Sequence, residues 1–125
     1  MEDKKVILIV EDDTPLRNAL REKLSDAGFA VLEAKNGEEG VSLSLSGHPD
    51  LILLDILMPK MDGVEMLKTV RKDEWGKNAP VIILTNLSDT GEVAHAVPDE
   101  KLDYFIKSDI KIEDVVVKVK EKLGL

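Results

Sequence analysis

With 125 residues, the chain is long enough for one domain that buries roughly two-thirds of the surface its unfolded form exposes. Its 17 basic residues against 25 acidic ones give a net charge of −8, which excludes the basic footprint that nucleic-acid binding needs. Zero cysteines exclude disulfides and thiolate metal sites and fit a cytoplasmic protein, while the five apolar residues after Lys5 are far too few for a signal-peptide core or a membrane span.

The first element is Val6–Val10 (VILIV), an uninterrupted apolar run that reads as a strand buried on both faces. Glu11-Asp12-Asp13 ends it. Asp13 or Thr14 can cap the next helix, with Pro15 in its first turn, where a missing N–H does no harm. Leu16, Ala19, Leu20 and Leu24 then recur at helical spacing until Gly28 stops the helix. Residues 29–34 read as a weaker strand, broken by Glu33 as suits a sheet edge. Asn36-Gly37 turns into a short helix with Val41 and Leu45 inward, ending near Gly47-His48-Pro49.

A second full apolar run, Leu51-Ile52-Leu53-Leu54, ends at Asp55 and opens into Ile56-Leu57-Met58-Pro59-Lys60-Met61-Asp62-Gly63. Asp62 can cap a helix to about residue 72, with Val64, Met66, Leu67 and Val70 apolar. Pro80 introduces a third run, Val81-Ile82-Ile83-Leu84, closed by Thr85-Asn86. Residues 88–97 are expected to form a short helix with a thin apolar stripe, ended by Pro98. Residues 102–106 read as a brief last strand closed by Lys107. Ile112, Val115, Val116, Val119 and Leu123 mark a C-terminal amphipathic helix.

Five strands alternating with five helices mean βαβ units. The expected fold is α/β: a doubly wound five-stranded parallel sheet, flavodoxin-like in order 2-1-3-4-5, with helices on both faces. That order places the three fully apolar strands inside and the two mixed ones at the edges. Residues 1–125 are expected to form this single domain.

Parallel strands put their C-terminal ends on one edge of the sheet. Strand 1 ends in Glu11-Asp12, strand 3 in Asp55, strand 4 in Thr85 and strand 5 in Lys107. The chain order reverses between strands 1 and 3, so their three carboxylates should meet in that crevice. Like charges repel there, by about 1 kcal/mol in water and several-fold more at a protein surface. Such a cluster calls for a cation, and oxygen ligands without His or Cys select a hard divalent ion, Mg²⁺. Thr85 adds a hydroxyl donor and Lys107 a mobile cation. Together these parts suit a phosphoryl group bonded to Asp55. Singly, each has a dull reading: a helix-capping run, a turn residue, a surface lysine.

The chain resembles a receiver domain of two-component response regulators (CheY-like), apparently stand-alone. The resemblance rests on Glu11-Asp12 after VILIV, the stretch from Asp55 to Gly63, Thr85 after VIIL, and Lys107 after Tyr-Phe-Ile. It implies that Asp55 accepts a phosphoryl group from a sensor histidine kinase or phosphotransfer protein. It also implies that Glu11, Asp12, Asp55 and the backbone carbonyl of Leu57 hold Mg²⁺, and that Thr85 and Lys107 bind the phosphoryl group. Tyr104 sits where the family often has an aromatic that turns inward as the threonine moves, the alternative being plain edge-strand packing. The implied readout face comprises residues 88–97, the last strand and the C-terminal helix. A cytoplasmic monomer or phosphorylation-dependent dimer acting on a downstream protein, and not an enzyme beyond its own phosphorylation and dephosphorylation, completes the expectation.

Three departures stand out. Ser108 replaces the proline that commonly follows the lysine, Asn86 follows Thr85 where a smaller residue is common, and the segment from Ser88 to Asp103 lacks the usual alanine-glycine character. Ser108 and Asn86 are the best support for one rival reading, a receiver-like binding module that no longer switches. Another rival, a small phosphohydrolase working through an aspartyl phosphate, wants a dedicated acid/base, and Leu57 is apolar. A flavodoxin-like cofactor binder would want a glycine-rich phosphate loop after strand 1. His48 and His95 have no second His at ligand spacing, and Trp75 reads as a packing cap.

Overall fold

The structure is a computed structural model that describes residues 4–56, 62–85 and 102–125. Its strands are β1 (Val6–Val10), β2 (Ala30–Ala34), β3 (Leu51–Asp55), β4 (Val81–Thr85) and β5 (Asp103–Ile106). Its described helices are α1 (Thr14–Asp26), α2 (Gly37–Gly47), α3 (Gly63–Lys72) and α4 (Ile112–Lys122). The helix expected at residues 88–97 lies outside the described residues, as do Asn86 and His95.

All strand pairs are parallel and the order is β2-β1-β3-β4-β5, as the apolar runs require. Every residue of β3 and β4 is buried, whereas β5 is only half-buried along its length. Alternation along the strands sorts the core into two layers. Leu8, Val10, Ile52, Leu54, Val81 and Ile83 pack with Met66, Leu67 and Val70 of α3. Ile7, Ile9, Leu51, Leu53, Ile82 and Leu84 pack with Leu20 and Leu24 of α1 and Val115 and Val119 of α4. A fully buried Leu or Ile contributes about 1.5–3 kcal/mol, so these two layers supply the main driving force.

Local signals set the helix starts. Asp13 caps α1, its Oδ2 accepting from Leu16 N at 3.2 Å, and Asp62 caps α3 by accepting from Glu65 N at 2.9 Å. One expectation fails in α2. Leu45 is 38% exposed, and the buried residues of this helix are Gly37, Gly40 and Ser44. Val41, the other residue expected inward, does pack against the core layer, as does Leu43. The buried row follows Gly37, Gly40 and Ser44, where a Cβ on Gly40 would stand 2.5 Å from Met66 Sδ, and Leu45 falls about 100° past Ser44 around the helix, toward solvent. Trp75 stacks on His48, with ring centroids 4.7 Å apart and planes within 8°. Among the described residues, no helix is long and apolar enough to cross a membrane.

Candidate functional site

Val10 pairs with Leu54 in the β1–β3 ladder, so the residues that follow, Glu11 and Asp55, leave the two central strands side by side. The chain runs from β1 to β2 on one side and from β3 to β4 on the other, which opens a crevice at this point. Glu11 is fully buried, Asp55 is 1% exposed and Thr85 is 1% exposed. Asp12 is exposed. Gly63 closes the floor: a Cβ there would collide with the Asp55 carbonyl oxygen and come within 2.7 Å of Ile56 Cα.

Lys107 reaches in from the end of β5. Its Nζ lies 3.2 Å from Asp55 Oδ2 and 3.2 Å from Glu11 Oε1. The peptide bond to Ser108 is trans, and with serine at this position the lysine still meets both carboxylates. Glu11 Oε2 accepts from Asp13 N at 3.0 Å, while Oε1 is buried with no aligned hydrogen bond despite its contact with Lys107. The Glu11 carbonyl oxygen accepts from Arg17 Nη1 at 2.8 Å. Nothing in the sequence pattern marks Arg17, because only the folded loop brings that carbonyl under the first turns of α1.

The charges are out of balance. Three carboxylates face one ammonium. Burial, helped by a side-chain hydrogen bond to Glu11 and by the charge of Glu11, pushes the Asp55 carboxyl from its ordinary 3.8 up to about 8, against the pull of Lys107. Burial disfavours the Lys107 ammonium, yet Asp55 and Glu11 outweigh it and raise its pKa.

One carboxylate oxygen from each of Glu11, Asp12 and Asp55 lies within 4.8 Å of the other two. Mg²⁺ binds oxygens at 2.0–2.1 Å in an octahedron, which sets adjacent ligands about 3 Å and opposite ones about 4.2 Å apart. The cluster therefore fits an ion held partly through water, and Glu11 Oε1, buried and without an aligned hydrogen bond, is an acceptor that a cation could use. The donor set suits Mg²⁺. Leu57, whose carbonyl the family resemblance adds to this set, lies outside the described residues, as do Met58 and Met61.

Thr85 ends β4 one position past Leu84, the register partner of Asp55. It follows Val81 and Ile83 in alternation, on the sheet face where Tyr104 packs against the α3 core layer. Tyr104 pairs in register with Ile83, so Thr85 and Tyr104 are diagonal neighbours on adjacent strands. The structure thus brings Glu11, Asp12, Asp55 and Lys107 into one cluster, with Thr85 at the end of the neighbouring strand and Tyr104 diagonal to it.

Comparison with known proteins gives the same answer. A model of the response regulator receiver domain matches residues 7–120. The probable transcriptional regulator ycf27 of Porphyridium aerugineum is 36% identical over 104 residues, which are 83% of this chain and 42% of that protein. The transcriptional regulatory protein ResD of Bacillus subtilis is 34% identical over 117 residues, 94% of this chain and 47% of that protein. The chain thus spans less than half the length of these curated relatives. The structure of the response regulator protein TrrA of Thermotoga maritima, in complex with Mg²⁺ and BeF, superposes with a TM-score of 0.80. It is 32% identical, covering 94% of this chain and 98% of that one. Apolar strands, convergent carboxylates and sequence kinship agree, and the chain belongs to the response regulator receiver domains of two-component systems.

Proposed function

We propose that this domain accepts a phosphoryl group on Asp55 from a sensor histidine kinase or phosphotransfer protein and thereby changes its contacts with a downstream protein. The observation that carries this reading is a buried carboxylate at the β3 terminus, bracketed by Glu11 and by Lys107 at 3.2 Å. A buried acid in that setting has little to gain structurally and much to offer as an acceptor.

Glu11, Asp12 and Asp55, with the Leu57 carbonyl that the family likeness implies, would hold Mg²⁺. The bound ion supplies positive charge to offset the phosphoryl oxygens. Asp55, freed of its proton, attacks phosphorus through a carboxylate oxygen. The bond from phosphorus to the donor's histidine nitrogen breaks, and its electron pair stays on that nitrogen, which then takes a proton. Lys107 shifts its ammonium from the carboxylates to a phosphoryl oxygen, and the Thr85 hydroxyl donates to another. Thr85 and Tyr104 share a face, so a movement of Thr85 opens room for Tyr104 and biases one of two arrangements. The domain catalyses only its own phosphorylation and dephosphorylation and works in the cytoplasm.

The test is intact mass after incubation with acetyl phosphate and Mg²⁺. One added phosphoryl group is expected, absent with Asp55→Asn or with the metal chelated. A mass gain that survives Asp55→Asn refutes the assignment.

A further inference from the structure

The loop that carries Glu11 and Asp12 is held from behind. Arg17, in α1, donates from Nη1 to the Glu11 carbonyl oxygen at 2.8 Å, and its Nε lies 3.4 Å from Glu33 Oε1. Its side chain is 13% exposed. Arg21, one turn further on, also lies 3.4 Å from Glu33 Oε1, but it is 40% exposed and its hydrogen bonds run to Asn18 and Glu33. Two arginines of equal charge thus share one carboxylate, and Arg17 is the one that touches the acidic loop.

Other ties of the loop converge on the same place. Glu11 N donates to Ala34 O at 3.0 Å, Asp13 N to Glu11 Oε2 at 3.0 Å, and Arg17 N to Asp13 O at 2.9 Å. A charged donor to a buried carbonyl is among the stronger ties a backbone can have. Glu33, a polar break in an edge strand by sequence, is what aims the guanidinium.

We propose that Arg17, oriented by Glu33, is a positioning residue that holds the Glu11–Asp13 loop in the geometry needed to bind a divalent cation. This rests on the reading of Glu11, Asp12 and Asp55 as a cation site. Charge and position make opposite forecasts. A guanidinium beside the cluster repels a cation, so its loss by Coulomb's law alone tightens binding. Loss of a group that orients metal ligands weakens binding, typically 10–100-fold.

The experiment measures Mg²⁺ affinity by calorimetry for the wild-type chain, Arg17→Gln and Arg21→Gln, well below their unfolding transitions. Amide hydrogen exchange at Asp13 in chelator supplies a metal-free readout. Arg17→Gln is expected to bind Mg²⁺ about tenfold more weakly and to exchange faster at Asp13. Arg21→Gln is expected to match wild type. Should Arg17→Gln not fold, Arg17→Lys keeps the charge and loses the two-armed grip, and it too is expected to bind more weakly. Equal or tighter binding by the Arg17 variant overturns the proposal, as does equal weakening by Arg21→Gln. Wild type that binds no Mg²⁺ overturns the cation-site reading itself, and the proposal with it.

Discussion

Replacing Asp55 by Asn should stabilise the metal-free protein. Asp55 is 1% exposed and its carboxyl titrates near 8 in the folded state against 3.8 ordinarily. Below pH 3.8 both folded and unfolded chains hold the proton and nothing is lost. Between 3.8 and 8 the unfolded chain releases it and the folded chain keeps it, so the stability contribution drains away as pH rises through this window. At 1.36 kcal/mol per unit, the loss has a ceiling of about 4 kcal/mol at pH 7. Glu11 and Lys107 remain in the variant and retain part of that cost, so the expected gain is about 1–3 kcal/mol. For a domain of this size, it amounts to roughly 4 °C per kcal/mol in melting temperature. Urea unfolding of wild type and Asp55→Asn in chelator, at pH 4, 7 and 8.5, reads the difference directly. The gap should be near zero at pH 4 and widest at 8.5. Saturating Mg²⁺ should close it, since an ion at a hundredfold its dissociation constant adds about 2.7 kcal/mol to the wild type alone. A variant less stable than wild type at pH 8.5 without metal would refute the reasoning.

Other consequences can be checked separately. Lys107→Ala should tighten Mg²⁺ binding a few-fold by calorimetry, because Nζ at 3.2 Å from both carboxylates competes for them, yet it should leave the phosphorylated form with a weaker spectral response. Thr85→Ala should still gain the phosphoryl mass while the NMR shift changes at Tyr104 and its β5 neighbours shrink. Gly63→Ala should cost about 1–3 kcal/mol in urea unfolding, since the added methyl meets the Asp55 and Ile56 backbone, which cannot yield as a flexible side chain would.

Much of this molecule is legible in its sequence, for definite reasons. Continuous apolar runs at Val6–Val10, Leu51–Leu54 and Val81–Leu84 read as central strands, and parallel strands must bring their C-terminal ends to one edge. That geometry alone gathers Glu11, Asp12, Asp55, Thr85 and Lys107, before any distance is known. Caps at Asp13 and Asp62 are equally local matters. Periodicity, however, orients a side chain only within its own element; how near two elements lie depends on packing between them. Spacing turns both Val41 and Leu45 inward, but only Val41 packs against the core; the closest approach to Met66 falls at Gly40, and Leu45 is left 38% exposed. Sequence treated Glu11 and Asp12 alike, and the fold buried one while exposing the other. The shift of Asp55 to about 8 needs its burial and the nearness of Glu11. So too Arg17 grips a carbonyl six residues back only because α1 and β2 close around the loop. Residue types and spacing decided which chemistry could meet at this edge; tertiary packing decided the distances and the exclusion of water on which its strength depends.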